Sequence, residues 1–213
     1  MKSNYSAMTE AVIKENTASG KKPKLLLQVC CAPCSSYVIE YLASHFDITL
    51  YYYNPNISPK SEYEFRLAEL HRFTAEFPPA KEISFLDADY NPEEFLKISK
   101  GLEHLPEGGE RCEKCYRLRL EQTALKAKEQ DFDFFTTTLS ISPYKNAEWL
   151  NAIGAELSEK YGVHYLFSDF KKKNGYKRSI ELSAEYGLYR QDYCGCAFSK
   201  AESEIRRLEK SKE

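Results

Sequence analysis

The chain has 213 residues, of which 42% are hydrophobic and 29% are charged, and its formal net charge is −2. This length and composition fit one globular domain with a real core, and the near-neutral charge excludes binding to nucleic acid through overall attraction. Residues 1–22 lack the apolar stretch of a signal peptide, and no segment is long and apolar enough to span a membrane, so we expect a cytoplasmic protein. In that reducing compartment, seven cysteines favour metal binding or redox catalysis over structural disulfides.

Residues 1–22 form a predicted N-terminal extension with a short helix near Met8–Glu15, and residues 23–213 form a predicted single α/β metalloenzyme domain. Within the domain, apolar runs of strand length alternate with segments whose apolar residues recur at helical spacing. In chain order the predicted elements are strand Lys24–Val29, helix Ser35–Phe46, strand Asp47–Tyr53, helix Ser61–Phe77, strand Glu82–Leu86, helix Pro92–Lys100, helix Cys112–Gln130, strand Phe132–Thr138, helix Asn146–Tyr161, strand Val163–Phe167, helix Ser179–Tyr186 and helix Ser199–Lys210. This alternation predicts an α/β fold whose mostly parallel sheet carries helices on both faces.

The predicted fold also predicts where the functional site lies. In open α/β sheets, ligands bind beyond the carboxyl ends of the strands. Three polar or cysteine-rich segments follow predicted strands: Cys30–Cys34 after the first, Thr136–Thr138 at the end of the fourth, and Ser168–Asp169 after the fifth. We therefore expect a metal site at this edge of the sheet.

The seven cysteines fall into three compact groups. Cys30, Cys31 and Cys34 lie at a strand-to-helix turn, where backbone N–H groups lower thiol pKa values and favour electron-rich ligands. Cys112 and Cys115 are spaced so that both sulfurs point to one side of a helix. In the third group, Cys194-Gly195-Cys196, the glycine lets the backbone bend close to a metal or to a partner sulfur. Such clustering favours shared metal or redox chemistry over isolated buried thiols.

Two kinds of metal centre fit this pattern. A structural zinc needs only four thiolates, which leaves three nearby cysteines without a role. Cys30, Cys31, Cys112 and Cys115 would equally furnish the four thiolates of a 4Fe-4S cluster, and no histidine lies beside any cysteine group. We favour iron-sulfur, with a zinc-stabilised RNA-binding module as one alternative. A nucleotide-dependent tRNA-modifying α/β enzyme is the other, although the first strand-to-helix loop lacks a glycine-rich phosphate cradle.

At these motifs the sequence resembles the cobalamin-independent epoxyqueuosine reductase family, QueH. The resemblance covers the chain from about Lys24 to Lys200 in the expected order. The matching segments are Val29–Cys34, Arg111–Arg117, Thr136–Asn146, Asp169–Lys172, Gly175–Tyr176, Arg178–Leu182 and Tyr189–Cys196. The resemblance implies an oxidoreductase that acts on tRNA and removes the epoxide oxygen of epoxyqueuosine in the anticodon loop, giving queuosine.

The resemblance also implies a cofactor and its ligands. The family is described as carrying a 4Fe-4S cluster beside a mononuclear iron, and by motif Cys30, Cys31, Cys112 and Cys115 correspond to the cluster ligands. It implies that Cys194 and Cys196 are either a redox-active pair that can form a disulfide bond or ligands of the second iron. Cys34 stands where some members have an aspartate, and either residue can bind that iron. A two-electron reaction of this kind also needs a low-potential electron donor.

Release of the epoxide oxygen as water needs protons. Tyr144, Lys145, Asp169 and Tyr193 are candidate catalytic residues, as proton donors or orienting groups, because they lie in motif loops near the predicted strand ends.

A base in an anticodon loop must be splayed out to reach a buried metal, usually with aromatic stacking and phosphate contacts. Two basic groups are candidates for the RNA contacts, whereas the C-terminal helix is expected to be a packing element. The first is Lys171–Lys173, Lys177, Arg178 and Arg190 with Tyr176 and Tyr189, and the second is Arg111, Lys114, Arg117 and Arg119.

Overall fold

The computed structural model describes residues 3–210. Its centre is a five-stranded sheet in the order β3-β2-β1-β4-β5, in which every neighbouring pair of strands is parallel. The strands are β1 (Lys24–Gln28), β2 (Asp47–Tyr51), β3 (Ser84–Leu86), β4 (Phe134–Thr137) and β5 (His164–Tyr165).

The described helices connect and flank these strands. They are α1 (Tyr5–Ala18), α2 (Ala32–Leu42), α3 (Lys60–Glu76), α4 (Pro92–Ser99), α5 (Glu110–Glu129), α6 (Ala147–Tyr161), α7 (Gly175–Glu185) and α8 (Ala197–Lys210). Within residues 3–210, none of them combines the length and the apolar character that crossing a membrane requires.

Strand β1 shows why helices cover both faces of the sheet. Its alternate side chains point to opposite faces, so Leu25 and Leu27 enter one core and Leu26 enters the other. The first core contains apolar side chains of α2, α3 and α7, and the second contains those of α5 and α6. All three leucines are fully buried, and each such burial stabilises the fold by about 1.5–3 kcal/mol. The predicted α/β class with a parallel sheet is confirmed.

Several element bounds differ from the predicted ones, for local reasons. Helix α2 begins at Ala32 rather than Ser35, because Cys31 is its extended N-cap and Pro33 suits the first turn. Strand β5 is shorter than the predicted Val163–Phe167; it is an edge strand that pairs with β4 alone, in a register set by His164 and Tyr165.

The N-terminal helix is longer than the predicted Met8–Glu15 and lies against the domain. Thr9 is buried, and its hydroxyl donates to the carbonyl of Phe167 in the segment after β5. The Tyr5 ring stacks on the Phe167 ring at 6.3 Å between centroids. The division of the chain into an extension and a domain at residue 22 stays a prediction.

The strand order positions the site. The chain runs outward from β1 through β2 to β3, and outward on the other side from β4 to β5, so β1 and β4 are neighbours at the point where the order reverses. A crevice forms beyond the carboxyl ends of two such strands. The residues that follow there are Cys30 after β1 and Thr138 after β4, and Cys30 Sγ lies 3.8 Å from Thr138 Oγ1.

Candidate metal and redox site

The first cysteine group lies at the turn between β1 and α2. The Sγ atoms of Cys30 and Cys31 are 3.7 Å apart. All three Sγ atoms of Cys30, Cys31 and Cys34 lie within 4.8 Å of one another. Thiols at this spacing can bind one metal ion once they lose their protons.

The thiols of this group differ in acidity. Hydrogen bonds from Cys31 and Cys34 hold the pKa of Cys30 well below its usual range, against the effect of burial, and the charge of Arg119 adds to the shift. Donation to Cys30 raises the pKa of Cys31 to about 12 and also raises the pKa of Cys34 well above its usual value. A metal that binds this group must displace the protons that its thiols hold.

A second thiol group surrounds a small cavity beside the first. Cys112 and Cys115 lie one turn apart at the start of α5, and Cys194 and Cys196 come from the segment before α8. Burial raises the pKa of Cys112 and of Cys196, and it raises the pKa of Cys115 to about 12. These three thiols stay protonated near neutral pH unless a metal replaces the proton.

Cys194 joins the two groups. It lines the small cavity and also a larger one of about 400 Å³, whose wall includes the first cysteine group. All seven cysteines are free thiols and border one or both cavities. The fold thus brings together three groups that lie far apart in sequence. The predicted division into the cluster ligands Cys30, Cys31, Cys112 and Cys115 and a second set Cys34, Cys194 and Cys196 stays a prediction.

Gly195 occupies a position where the surrounding side chains leave too little room for a Cβ atom. Its φ is +119°, and a Cβ there would lie 3.0 Å from Arg66 Nη1 and 3.1 Å from Ile57 Cγ1. Its carbonyl accepts from the backbone N–H of Ser58 at 2.9 Å. The backbone between Cys194 and Cys196 is therefore fixed against the loop after β2.

Arg66 of α3 is a buried cation beside the thiols. It is 1% exposed, its guanidinium lies 2.8 Å from Glu62, and its Nη1 donates to the carbonyl of Cys194 at 3.2 Å. Its guanidinium also lies 5.2 Å from the ring centre of Tyr193. Although burial opposes the charge, Cys31 and Glu62 raise the pKa of Arg66, so it remains cationic.

Arg119 of α5 is a second buried cation. Its Nη2 donates to Asn54 Oδ1 at 2.6 Å, whereas its Nε has no partner among residues 3–210. Burial opposes its charge, but Cys115, Cys30 and Cys194 raise the pKa of Arg119. Arg119 and Arg111, two of the candidate RNA contacts, are each only 1% exposed and so do not lie on the outer surface, although Arg119 lines the larger cavity. Arg111 instead donates to the carbonyls of the loop before α5 and to Glu202.

Lys145, a predicted catalytic residue, lines the larger cavity. It is 8% exposed, and its Nζ lies 2.8 Å from Glu107 Oε1. Burial opposes its charge, but Cys194, Tyr116 and Glu107 raise the pKa of Lys145 well above its usual value. The residue is therefore a buried ammonium beside a thiol.

The other predicted catalytic residues have different surroundings. Tyr144 and Tyr193 line the larger cavity, with Tyr144 77% exposed at its mouth. Burial raises the pKa of Tyr193. Asp169 is absent from the described residues that line the cavity, and it pairs with Lys171 at 2.6 Å. A catalytic role for Asp169 stays an untested prediction, and this position gives it no support.

The mouth of the larger cavity is basic. Arg190, Arg206, Arg207 and Lys210 all contribute to its wall, as does Tyr176. Three of these cations belong to α8, which was expected only to pack against the domain. That expectation overlooked a helical face on which residues 203 and 207 are four apart, 206 and 210 are four apart, and 207 and 210 are three apart.

Two further site residues, Arg66 and Glu107, were missed from sequence. Arg66 had a usable signal, because it shares a face of α3 with Tyr63, Leu70 and Phe73, which are all buried. A cation on the apolar face of a helix indicates a buried charge with a function or a partner. Phe65 of the same helix is 51% exposed, so the buried face is the one that carries Arg66.

Comparison with known proteins agrees with the resemblance in the motifs. The family model described as Epoxyqueuosine reductase QueH matches residues 25–202. A Streptococcus pyogenes serotype M1 protein named epoxyqueuosine reductase QueH is 45% identical over 200 residues, which is 93% of this chain and 78% of the relative. Proteins of the same name are 43% identical over 202 residues in Staphylococcus epidermidis, covering 93% and 85%, and 38% identical over 191 residues in Thermotoga maritima, covering 88% and 96%. With its motifs and nearly its whole length matched, the chain belongs to the epoxyqueuosine reductase QueH family.

Proposed function

We propose that this protein is a tRNA epoxyqueuosine reductase that uses a 4Fe-4S cluster and an adjacent mononuclear iron. The reaction takes two electrons and two protons. It breaks both C–O bonds of the epoxide, forms the C=C bond of queuosine and releases water. A low-potential electron donor in the cytoplasm supplies the electrons.

One observation carries the proposal beyond family membership. Seven cysteines from three distant segments border two adjoining cavities that share Cys194. A single structural zinc needs at most four of them. A site for two neighbouring metal centres accounts for them all.

The donor set suits iron and sulfide. Thiolates are the usual ligands of iron-sulfur clusters, and we assign Cys30, Cys31, Cys112 and Cys115 to the cluster. Cys34, Cys194 and Cys196 are then available to the second iron or to a redox pair. When bound, a 4Fe-4S cluster supplies single electrons at low potential, and an adjacent iron is a Lewis acid.

The chain's own residues would then manage charge and protons. Lys145 is a buried ammonium at the cavity wall and can hold or deliver a proton at Nζ to the departing oxygen. The Tyr193 hydroxyl, on the same wall, can orient the substrate. The cavity of about 400 Å³ lies in the range that small ligands occupy, which suits one splayed nucleoside.

The deciding experiment is anaerobic purification followed by analysis of iron, acid-labile sulfide and zinc per chain. We expect iron and sulfide, with visible absorbance that bleaches on reduction by dithionite. The reduced protein should convert epoxyqueuosine in tRNA without added cobalamin. A colourless zinc protein that lacks sulfide would identify a zinc-stabilised RNA-binding module and contradict the proposal.

Cysteine variants test the ligand assignment. Cys112→Ala and Cys115→Ala should abolish the cluster absorbance, because each removes one of the four proposed thiolates. Cys196→Ala is the matched comparison and should retain it. Intact absorbance in both Cys112→Ala and Cys115→Ala would show that the assignment is wrong.

A further inference from the structure

The basic mouth of the larger cavity differs from the other basic groups of the chain because some of its cations have no acidic partner among the described residues. Most of the sequence-predicted RNA-binding cations have acidic partners close by. The observed pairs are Lys114 with Glu110, Arg117 with Glu156, Lys171 with Asp169, Lys173 with Glu10, and Arg178 with Glu40 and Glu181. Their charges are largely neutralised at short range.

Helix α8 carries cations without such partners. Within residues 3–210, no ion pair involves Arg206 or Lys210, and both side chains are exposed at the cavity wall. They are four residues apart and therefore share a face of α8. Arg207, between them in sequence, is held by Asp192 through two contacts of 2.6 and 2.8 Å. This pairing fixes the helix against the segment that carries Cys194.

Arg190 completes the mouth from that same segment. Its Nη1 donates to the carbonyl of Ser179 at 3.3 Å and to the hydroxyl of Ser183 at 3.0 Å, so its position is set by α7. Its guanidinium lies 5.7 Å from the ring centre of Tyr176. Among the described residues it has no carboxylate partner, and its charge remains available to a ligand.

We propose that Arg206, Lys210 and Arg190 bind the RNA phosphates on either side of the nucleotide that enters the larger cavity. This inference rests on the proposed function and adds the surface that holds the substrate. A nucleotide inserted into the cavity leaves its flanking phosphates at the mouth, where these three cations lie. Lysine and arginine that neutralise phosphates supply the salt-dependent part of RNA affinity.

An acidic electron-donor protein is the other polyanion that could meet a basic surface. The position of the cations favours RNA, because they line the cavity itself along with Cys30 and Cys34. A protein surface docked there would block the mouth through which the substrate base would enter the cavity. Tyr176, beneath Arg190, also adds an aromatic face of the kind on which RNA bases stack.

The test compares two double charge reversals. Arg206→Glu with Lys210→Glu changes the mouth. The control variant, Lys81→Glu with Lys128→Glu, makes the same change in charge on exposed residues near the amino ends of the strands. Lys81 precedes β3, and Lys128 lies near the end of α5. Binding of each protein to tRNA that contains epoxyqueuosine is measured without reductant, between 50 and 200 mM salt, in holoprotein with matched iron content.

We expect the mouth variant to bind tRNA at least about tenfold more weakly at low salt, with a salt slope smaller in magnitude by about 1 to 2. In turnover its KM for tRNA should rise while kcat changes by less than about twofold. The control should behave like the unchanged protein. Equal tRNA binding by both variants would overturn the inference, as would a mouth variant that loses only reduction by a protein electron donor.

The two proposals fail separately. Binding is read without turnover, so salt-dependent tRNA binding through the mouth would stand even if no epoxide were reduced. Conversely, full turnover by the mouth variant with unchanged KM would overturn this inference and leave the reductase function intact.

Discussion

The ion pair between Lys145 and Glu107 lies in the wall of the larger cavity, and its burial predicts an effect on stability as well as the proposed role in proton delivery. Its side chains are 6% and 16% exposed, so each charge depends on the other for solvation. Removal of one partner from a buried pair is strongly destabilising, whereas replacement of both by apolar residues of similar size is much less so. This asymmetry allows the structural role of Lys145 to be separated from its proposed chemical role.

We predict that Lys145→Met destabilises the apoprotein by about 3 kcal/mol and that adding Glu107→Leu recovers much of the loss. Urea unfolding of the two single variants and the double variant measures the coupling. Lys160→Met is the matched control, because Lys160 pairs with Glu121 at 2.6 Å on the surface and its loss should change stability little. Additive effects of Lys145→Met and Glu107→Leu would show that the buried pair does not act as a unit.

The way in which this ion pair's contribution to stability depends on pH follows from the direction in which the pKa of Lys145 is shifted. The pKa of Lys145 is raised in the folded protein, so its contribution is fully present below the unfolded value of about 10.4. The contribution is lost only as the pH rises through the still higher folded value. Titration of Lys145 should therefore not change the difference in free energy of unfolding between the unchanged protein and Lys145→Met from pH 7 to 9. Urea midpoints of both proteins across that range measure this difference.

Gly195 offers a second test at the residue scale. An alanine there would require both a φ of +119° and a Cβ at 3.0 Å from Arg66 Nη1. Gly187→Ala is the control, because Gly187 also has a positive φ, +58°, but nothing within 4 Å of its Cβ position. We predict a loss of about 1 kcal/mol for Gly187→Ala and clearly more for Gly195→Ala, with reduced iron content only in the latter. Equal unfolding midpoints would mean that the close approach to Arg66 is unimportant.

At the scale of elements, α5 presents a functional face to the site. Cys112, Cys115 and Arg119 follow one another at spacings of three and four residues, so one helical face carries two thiols and a buried cation. A positive charge near a redox centre stabilises its reduced, more negative form and raises its reduction potential. Under the proposed ligand assignment, the helix would contribute two ligands and also control the electrostatics of the cluster.

Arg119→Met tests this control. We predict a cluster of normal iron and sulfide content whose midpoint potential is more negative by on the order of 50–100 mV, which corresponds to about 1–2 kcal/mol for one electron. Arg117→Met is the control, since Arg117 lies on the same helix but pairs with Glu156 at the surface. A dithionite titration followed by visible absorbance gives the potential. An unchanged midpoint in Arg119→Met, with the cluster intact, would contradict the assigned role.

The elements themselves were largely predictable, whereas the functional surfaces were not. The short apolar run of β1, followed by segments with apolar residues at helical spacing, is a local signal, and this alternation predicts the α/β class and the position of Cys30 beyond β1. The burial of Arg119 and the exposure of Arg206 depend on packing between distant segments. Their sequences look alike, as basic residues in charged helices. Only the tertiary structure distinguishes a cation inside the site from a cation at its mouth.

At the scale of the whole molecule, the site joins three parts of the chain. The cysteines come from the β1–α2 turn, the start of α5 and the segment before α8. That last segment is attached to the rest of the domain through the carbonyls of Cys194 and Gly195, through Arg190 and through the backbone N–H of Tyr189. A metal centre that bound thiols from all three parts would close long loops in the folded protein. Its binding free energy would then add to the free energy that stabilises the fold.

Metal loading should therefore stabilise the whole molecule, and the segment around Cys194 should respond most. We predict that anaerobic removal of iron lowers the free energy of unfolding by at least about 3 kcal/mol, measured from denaturant midpoints. Hydrogen exchange should show the largest loss of protection in α8 and the segment before it, because β1 and β4 remain paired within the sheet. Cys112→Ala, treated in the same way, is the control. If it cannot hold the cluster, its free energy of unfolding should change little on the same treatment. Equal midpoints for the loaded and iron-free proteins would mean that the thiols are pre-assembled by the fold alone and that the metal adds no link between the three segments.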